Sequence, residues 1–93
     1  MKIRGIIWLD SVVDKIETKH AVSCKEVSQV LCRAMFRFVE KGHRHGENVY
    51  AALGQTNAGR YLIVFFVSKP DSRTLILTAR DMTVAERRRY EKT

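Results

Sequence analysis

Arg80 closes an apolar run, Thr74-Leu75-Ile76-Leu77-Thr78-Ala79, and three more arginines, Arg87, Arg88 and Arg89, follow within a few residues. At a period of two, Leu75, Leu77 and Ala79 fall on one side of a strand, and Thr74, Ile76, Thr78 and Arg80 on the other. A guanidinium at the end of a packed strand loses little freedom on binding an anion, and its rigid fork fits two phosphate oxygens. Such a group can neutralise the charge that develops during phosphoryl transfer. The plainer role is structural, with Arg80 paired to Asp81 or capping a neighbouring strand.

Other residues could serve the same chemistry. Lys19-His20 reads as the end of a helix, where basic side chains suit the helix dipole. The pair could equally bring a cation and a proton-transfer group to the cleft of Arg80, because histidine is the usual acid or base near neutral pH. Glu47, at the entry to a strand, is a candidate general base or arginine partner. Arg87, Arg88 and Arg89 are spaced about 100° apart around a helix, so they cannot all face one way, and at least one is simply solvated. Tyr90 can stack on a base, although packing its ring against the sheet is the commoner use of a lone tyrosine. His43-Arg44-His45-Gly46-Glu47 matches no zinc spacing and reads as a polar loop without a metal. No glycine-rich phosphate loop precedes a helix, which argues against nucleotide hydrolysis, and no serine elbow or cysteine–histidine motif is present.

The elements that must position these groups fit in one domain of 93 residues. With 45% apolar residues and a single proline the chain can fold around a modest core. Its 17 basic and 10 acidic residues leave a net charge of +7, which suits nucleic acid, an acidic protein segment or a membrane surface. Clustering of that charge near the C-terminal end favours nucleic acid. Cys24 and Cys32, on one helix, would stand about 12 Å apart, beyond the roughly 7 Å a disulfide allows; free thiols fit a reducing cytosol. The longest apolar run, residues 61–67, falls far short of the ~20 residues that span a bilayer. Ile6-Ile7-Trp8-Leu9 is too short for a signal peptide, so the expected location is the cytoplasm, with no membrane partner.

Residues 2–9 read as a first strand. Asp10 or Ser11 caps a helix to about Lys19, with Val12, Val13 and Ile16 inward. Ser23-Cys24-Lys25-Glu26 is a capping box opening a second helix, whose inward face is Val27, Val30, Leu31, Ala34 and Met35. Strands follow at residues 36–40, 48–56, 61–67 and 74–79, with turns at Asn57-Ala58-Gly59 and Pro70-Asp71. Thr83-Val84-Ala85-Glu86 is a second capping box and starts a short last helix. Hairpin-length connections make the sheet mostly antiparallel, so the class is α+β: about four strands, two N-terminal helices and a short C-terminal helix.

The chain resembles the BrnT family of bacterial toxins, small RelE-like ribonucleases encoded beside a BrnA antitoxin. The residues that carry the resemblance are Trp8-Leu9-Asp10, Lys15, Lys19-His20-Ala21-Val22-Ser23, Glu26, Gly46-Glu47, Leu53-Gly54-Gln55-Thr56, Gly59-Arg60, Thr78-Ala79-Arg80 and Glu86-Arg87-Arg88-Arg89-Tyr90. Two positions depart from the family's habit. Ala21 stands where a glycine is usual, and a positive φ there would be costly. Val49 stands where an arginine usually follows the glycine–glutamate pair. The resemblance implies metal-independent RNA cleavage in which the 2′-hydroxyl attacks. Arg80 would be the main clamp, Arg60 and Lys19 supporting cations, His20 or Glu47 the proton carriers, and Arg60, Arg87, Arg88 and Tyr90 RNA contacts. Arg60 serves equally well as a turn residue after Gly59. The resemblance also implies a BrnA-like antitoxin with a ribbon-helix-helix part, a two-to-two complex, and operator DNA bound through that antitoxin. The alternative is a noncatalytic or decayed module that binds nucleic acid or protein.

Overall fold

The computed structural model describes residues 3–42 and 47–92; residues 43–46, which include His43 and His45 of the polar loop expected from the sequence, lie outside them. The element order is β1 (Gly5–Ile7), α1 (Asp10–His20), α2 (Cys24–Cys32), β2 (Met35–Glu40), β3 (Asn48–Gln55), β4 (Tyr61–Ser68), β5 (Arg73–Asp81) and α3 (Val84–Glu91). The five strands form one sheet in the order β1-β5-β4-β3-β2. From β2 to β5 the pairing is antiparallel, while β1 adds to β5 in parallel. The α+β expectation stands. The sheet has a fifth strand because α1 and α2 carry the chain across one face from β1 at one edge to β2 at the other, and the meander β2–β5 then brings β5 back beside β1.

Both expected capping boxes form. The Ser23 hydroxyl accepts from the Glu26 N–H and the Glu26 carboxylate accepts from the Ser23 N–H; Thr83 and Glu86 repeat the pattern. α1 has no such cap: Leu9 occupies the N-cap and no side chain bonds there, so neither Asp10 nor Ser11 serves. α2 ends at Cys32, short of the expected face, because Arg33 leaves helical geometry and Met35 already pairs with Leu53 in the sheet. Cys24 and Cys32 are both free.

The main core lies between the helices and one sheet face: Ile16, Val22, Val27, Val30 and Leu31 meet Ala52, Leu62, Val64, Phe66, Ile76 and Ala79. α2 sits directly on β3, since a Cβ on Gly54 would stand 3.2 Å from a Val30 methyl. The opposite face carries a smaller cluster, Ala51, Leu53 and Ile63, with Met35, Phe65, Met82 and Tyr90 against it.

β5 departs from simple alternation. Thr78 pairs with Phe65 and Ile76 with Phe66, so Leu77 is a bulged extra residue. A bulge shifts the phase by one residue. Thr74, Ile76 and Ala79 are therefore the buried residues, and Arg80 emerges on the face away from Ile76. The expected grouping of Arg80 with Thr74 and Ile76 fails for this reason.

Candidate active site

The strand register lays a row across the second face: Met35 opposite Leu53, Leu53 opposite Ile63, and Ile63 opposite Arg80. Arg80 thus ends an apolar row at the C-terminal end of β5. Its guanidinium lies 5.6 Å from the centroid of the Phe65 ring. Nη1 donates to Glu86 Oε1 at 2.8 Å and Nη2 to Glu86 Oε2 at 3.0 Å, a two-pronged contact, and Nη1 also reaches the Asp81 carbonyl at 3.0 Å. The Arg80 side chain is 33% exposed and that of Glu86 23%, so the pair sits at the rim of the sheet.

Glu86 accepts from Arg80 and from the Thr83 backbone N–H of the capping box. Those bonds, Arg80's first, outweigh burial and hold the Glu86 carboxyl down to about 2, from 4.5. The same pairing raises Arg80. Glu86 was expected only as a cap; a carboxylate placed six residues after a strand-end arginine was the available sign of its second task.

Arg60 lies on the other side of that rim and uses all five of its N–H donors. Nε and Nη2 hold Asp81 at 2.8 and 3.2 Å. Nη1 donates to the Ala21 carbonyl and, at 3.3 Å, to Glu26, while Nη2 reaches the His20 carbonyl at 2.8 Å. It therefore closes the C-terminal end of α1, whose last carbonyls have no partner inside the helix. Asp81 is lowered, first by the Arg60 hydrogen bonds and in part by the charge of His20. Glu26 is lowered, first by the Ser23 backbone N–H and then by Arg60. Lys19 and His20 end α1 beside this knot, Lys19 exposed and His20 half-buried.

Residues 10–86 match the family model of the ribonuclease toxin, BrnT, of type II toxin–antitoxin systems. The chain belongs to the BrnT family. No curated protein matches it. The matched span starts at the first residue of α1 and ends at Glu86, so it takes in both the Arg60 knot and the Arg80–Glu86 pair.

Of the candidate residues in this BrnT chain, His20 and Arg60 meet at the C-terminal end of β5 on the side of α1, where Lys19 precedes His20, and Arg80 stands at the same strand end on the α3 side. Glu47 is elsewhere. It precedes β3 at the opposite end of the sheet, about 20 Å along the strand from the row of Arg80, and is bonded to Lys69 at 3.1 Å. It does not share a site with Arg80.

α3 lies over the second face. Arg87 rests on the Tyr61 ring, 3.9 Å from its centroid. Tyr90 meets Tyr61 edge-on and packs on the small cluster. Arg88 and Arg89 are exposed.

Both departures from BrnT habit have a place in the fold. Ala21 has φ 52° and ψ 40°, the left-handed conformation that glycine adopts freely. Val49 shares the face of Arg80, since alternate residues of β3 run Val49, Ala51, Leu53. It stands about 13 Å along the strand from the Arg80 row. Among the described residues no helix is long and apolar enough to cross a membrane.

Proposed function

We propose that this BrnT chain cleaves RNA without a metal ion. The 2′-hydroxyl attacks the adjacent phosphorus, the 5′-oxygen leaves with a proton, and the products carry a 2′,3′-cyclic phosphate and a free 5′-hydroxyl. The observation that carries the reading is the Arg80–Glu86 pair. A carboxylate with oxygens 2.8 and 3.0 Å from a guanidinium fork occupies the position that two phosphate oxygens would take. Substrate phosphate displaces Glu86, and Arg80 then neutralises the pentavalent transition state. Glu86, held near 2, is a poor proton acceptor at neutral pH. Proton transfer falls instead to His20, with Lys19 as a second cation, from the other side of the β5 end. Arg60 positions His20 through its carbonyl, and Arg87, Arg88 and Tyr90 serve the flanking nucleotides.

The partner in this reading is a BrnA-like antitoxin whose acidic segment covers the basic rim and whose ribbon-helix-helix part carries the two-to-two complex to operator DNA. Expression of the chain alone in a bacterium should arrest growth, and either Arg80→Ala or co-expression of the antitoxin should relieve the arrest. Unimpeded growth with soluble wild-type protein would refute the proposal.

A second reading draws on the same ion pair. If Glu86 never releases Arg80, the chain is a noncatalytic nucleic-acid-binding module. It would then bind RNA in a salt-sensitive way and leave it intact.

A further inference from the structure

On the face that carries Arg80, one step along the strands, a cleft of about 520 Å³ opens between the start of β2, the end of β3 and the last turn of α3, lined by Arg33, Met35, Gln55, Tyr61, Tyr90 and Glu91. A second hollow of about 250 Å³ continues it and shares Arg33, Gln55 and Tyr90. Together they fall within the few hundred cubic ångströms usual for small-ligand sites. The sequence singled out none of Arg33, Gln55 and Tyr61 as a contact.

We propose that this cleft holds an unpaired base of single-stranded RNA, next to the phosphate at Arg80. The inference rests on the RNA-cleaving reading above and adds the group that the chain would recognise. Four observations support it. Tyr61 lies on the diagonal from Arg80 across the β4–β5 pair, a separation of about 7–8 Å, so a base and its neighbouring phosphate can occupy both places. Tyr61 and Tyr90 both line the cleft and their rings meet edge-on at 6.0 Å; aromatic walls are how unstacked RNA bases are held. Arg33 and Gln55 bring a guanidinium and an amide, the groups that read base edges. Glu91 accepts from the Tyr61 hydroxyl at 3.3 Å. Its carboxylate repels phosphate but tolerates the N–H edge of a base, so the cleft selects the base and leaves the phosphate to Arg80.

The test is the binding of a labelled, non-cleavable 2′-O-methyl RNA decamer, of its abasic counterpart and of a polyglutamate peptide of equal charge, at one fixed salt concentration. The proteins are the wild type, the Arg33→Ala/Gln55→Ala double variant and Arg80→Ala, each first checked for an unchanged thermal transition. The wild type should prefer the base-bearing RNA to the abasic strand by about tenfold or more, as base stacking ordinarily supplies. The double variant should lose that preference, whereas Arg80→Ala should weaken both RNA ligands by a similar factor and keep the preference. Equal affinity of the wild type for the two strands, no RNA binding, a preference that survives in the double variant, or polyglutamate binding as tightly as the base-bearing RNA would each overturn the assignment. The two readings fail separately. Base-dependent binding without cleavage sinks the nuclease and keeps the cleft; cleavage with unchanged KM in the double variant does the reverse.

Discussion

In the proposed reaction Arg80 is the residue on which the chemistry turns, and its surroundings make a specific demand. A charge at that position is insufficient if the fork matters, because lysine offers a point charge where arginine offers two parallel donors. Arg80→Ala should lower the cleavage rate by about 10²- to 10³-fold, the usual effect of removing one transition-state donor. Arg80→Lys should recover only a minor part of it. Single-turnover assays at saturating RNA would separate these effects from binding, and full activity in Arg80→Lys would argue that the fork is irrelevant. Ala21 makes a second demand at this scale. An alanine held at φ 52° gives up about 1 kcal/mol that glycine would not. Ala21→Gly should therefore raise the melting temperature by a few degrees; a fall would mean that the added freedom of the unfolded chain outweighs the relief. Arg80's position at a strand end was legible in the sequence. Its face was not, because the Leu77 bulge has no signature in an apolar run where every residue suits a strand.

At the scale of elements, two arginines join parts that are distant in sequence. Arg60 ties β4 to the end of α1, to α2 through Glu26, and to β5 through Asp81. Its removal leaves two carboxylates and two helix-end carbonyls without their donor. Arg60→Met should therefore cost about 2–3 kcal/mol and lower the melting temperature by roughly 10 °C or more. A near-neutral result by urea titration would make Arg60 a ligand contact and not a joint. α3 is held differently, through the Arg80–Glu86 pair and the contacts of Arg87, Tyr90 and Glu91 with Tyr61. The folded pKa of Glu86 is depressed from 4.5 to about 2, so its stabilisation is complete above about pH 4.5 and disappears as the pH falls through 2. Glu86→Gln should cost about 1 kcal/mol at pH 7. The gap from wild type should close towards pH 2 in denaturant titrations; a constant gap would place the loss in the cap and not in the charge. Both capping boxes were legible, because side chain and backbone lie three residues apart. The bonds of Arg60 were not, since they span 21 to 40 residues and depend on the register of a sheet that no local pattern encodes.

Over the whole molecule, one sheet face is closed by α1 and α2 and the other is partly covered by α3, which leaves a rim that carries the candidate residues of both faces. A first strand was legible at residues 2–9, but its parallel pairing with β5 was not, because the partner of an edge strand depends on how the whole chain returns to it. The net charge of +7 supplies attraction for RNA at any sequence, and in the proposed reading the rim decides where the strand lies. If Arg80, Lys19 and Arg88 each neutralise one phosphate, three contacts at about 0.7 apiece give a slope near −2 for log K against log salt. Arg88→Ala should make that slope shallower by about 0.7 with little change in the cleavage rate at saturation. The most direct test of the central claim is the chemistry of the new RNA ends. Purified wild-type chain and Arg80→Ala would be incubated with end-labelled RNA in excess chelator and the products resolved by terminus. Fragments with 2′,3′-cyclic phosphate and free 5′-hydroxyl ends, formed by the wild type and reduced at least about 10²-fold in Arg80→Ala, are the predicted result. Intact RNA, 5′-phosphate ends or undiminished cleavage by Arg80→Ala would contradict it.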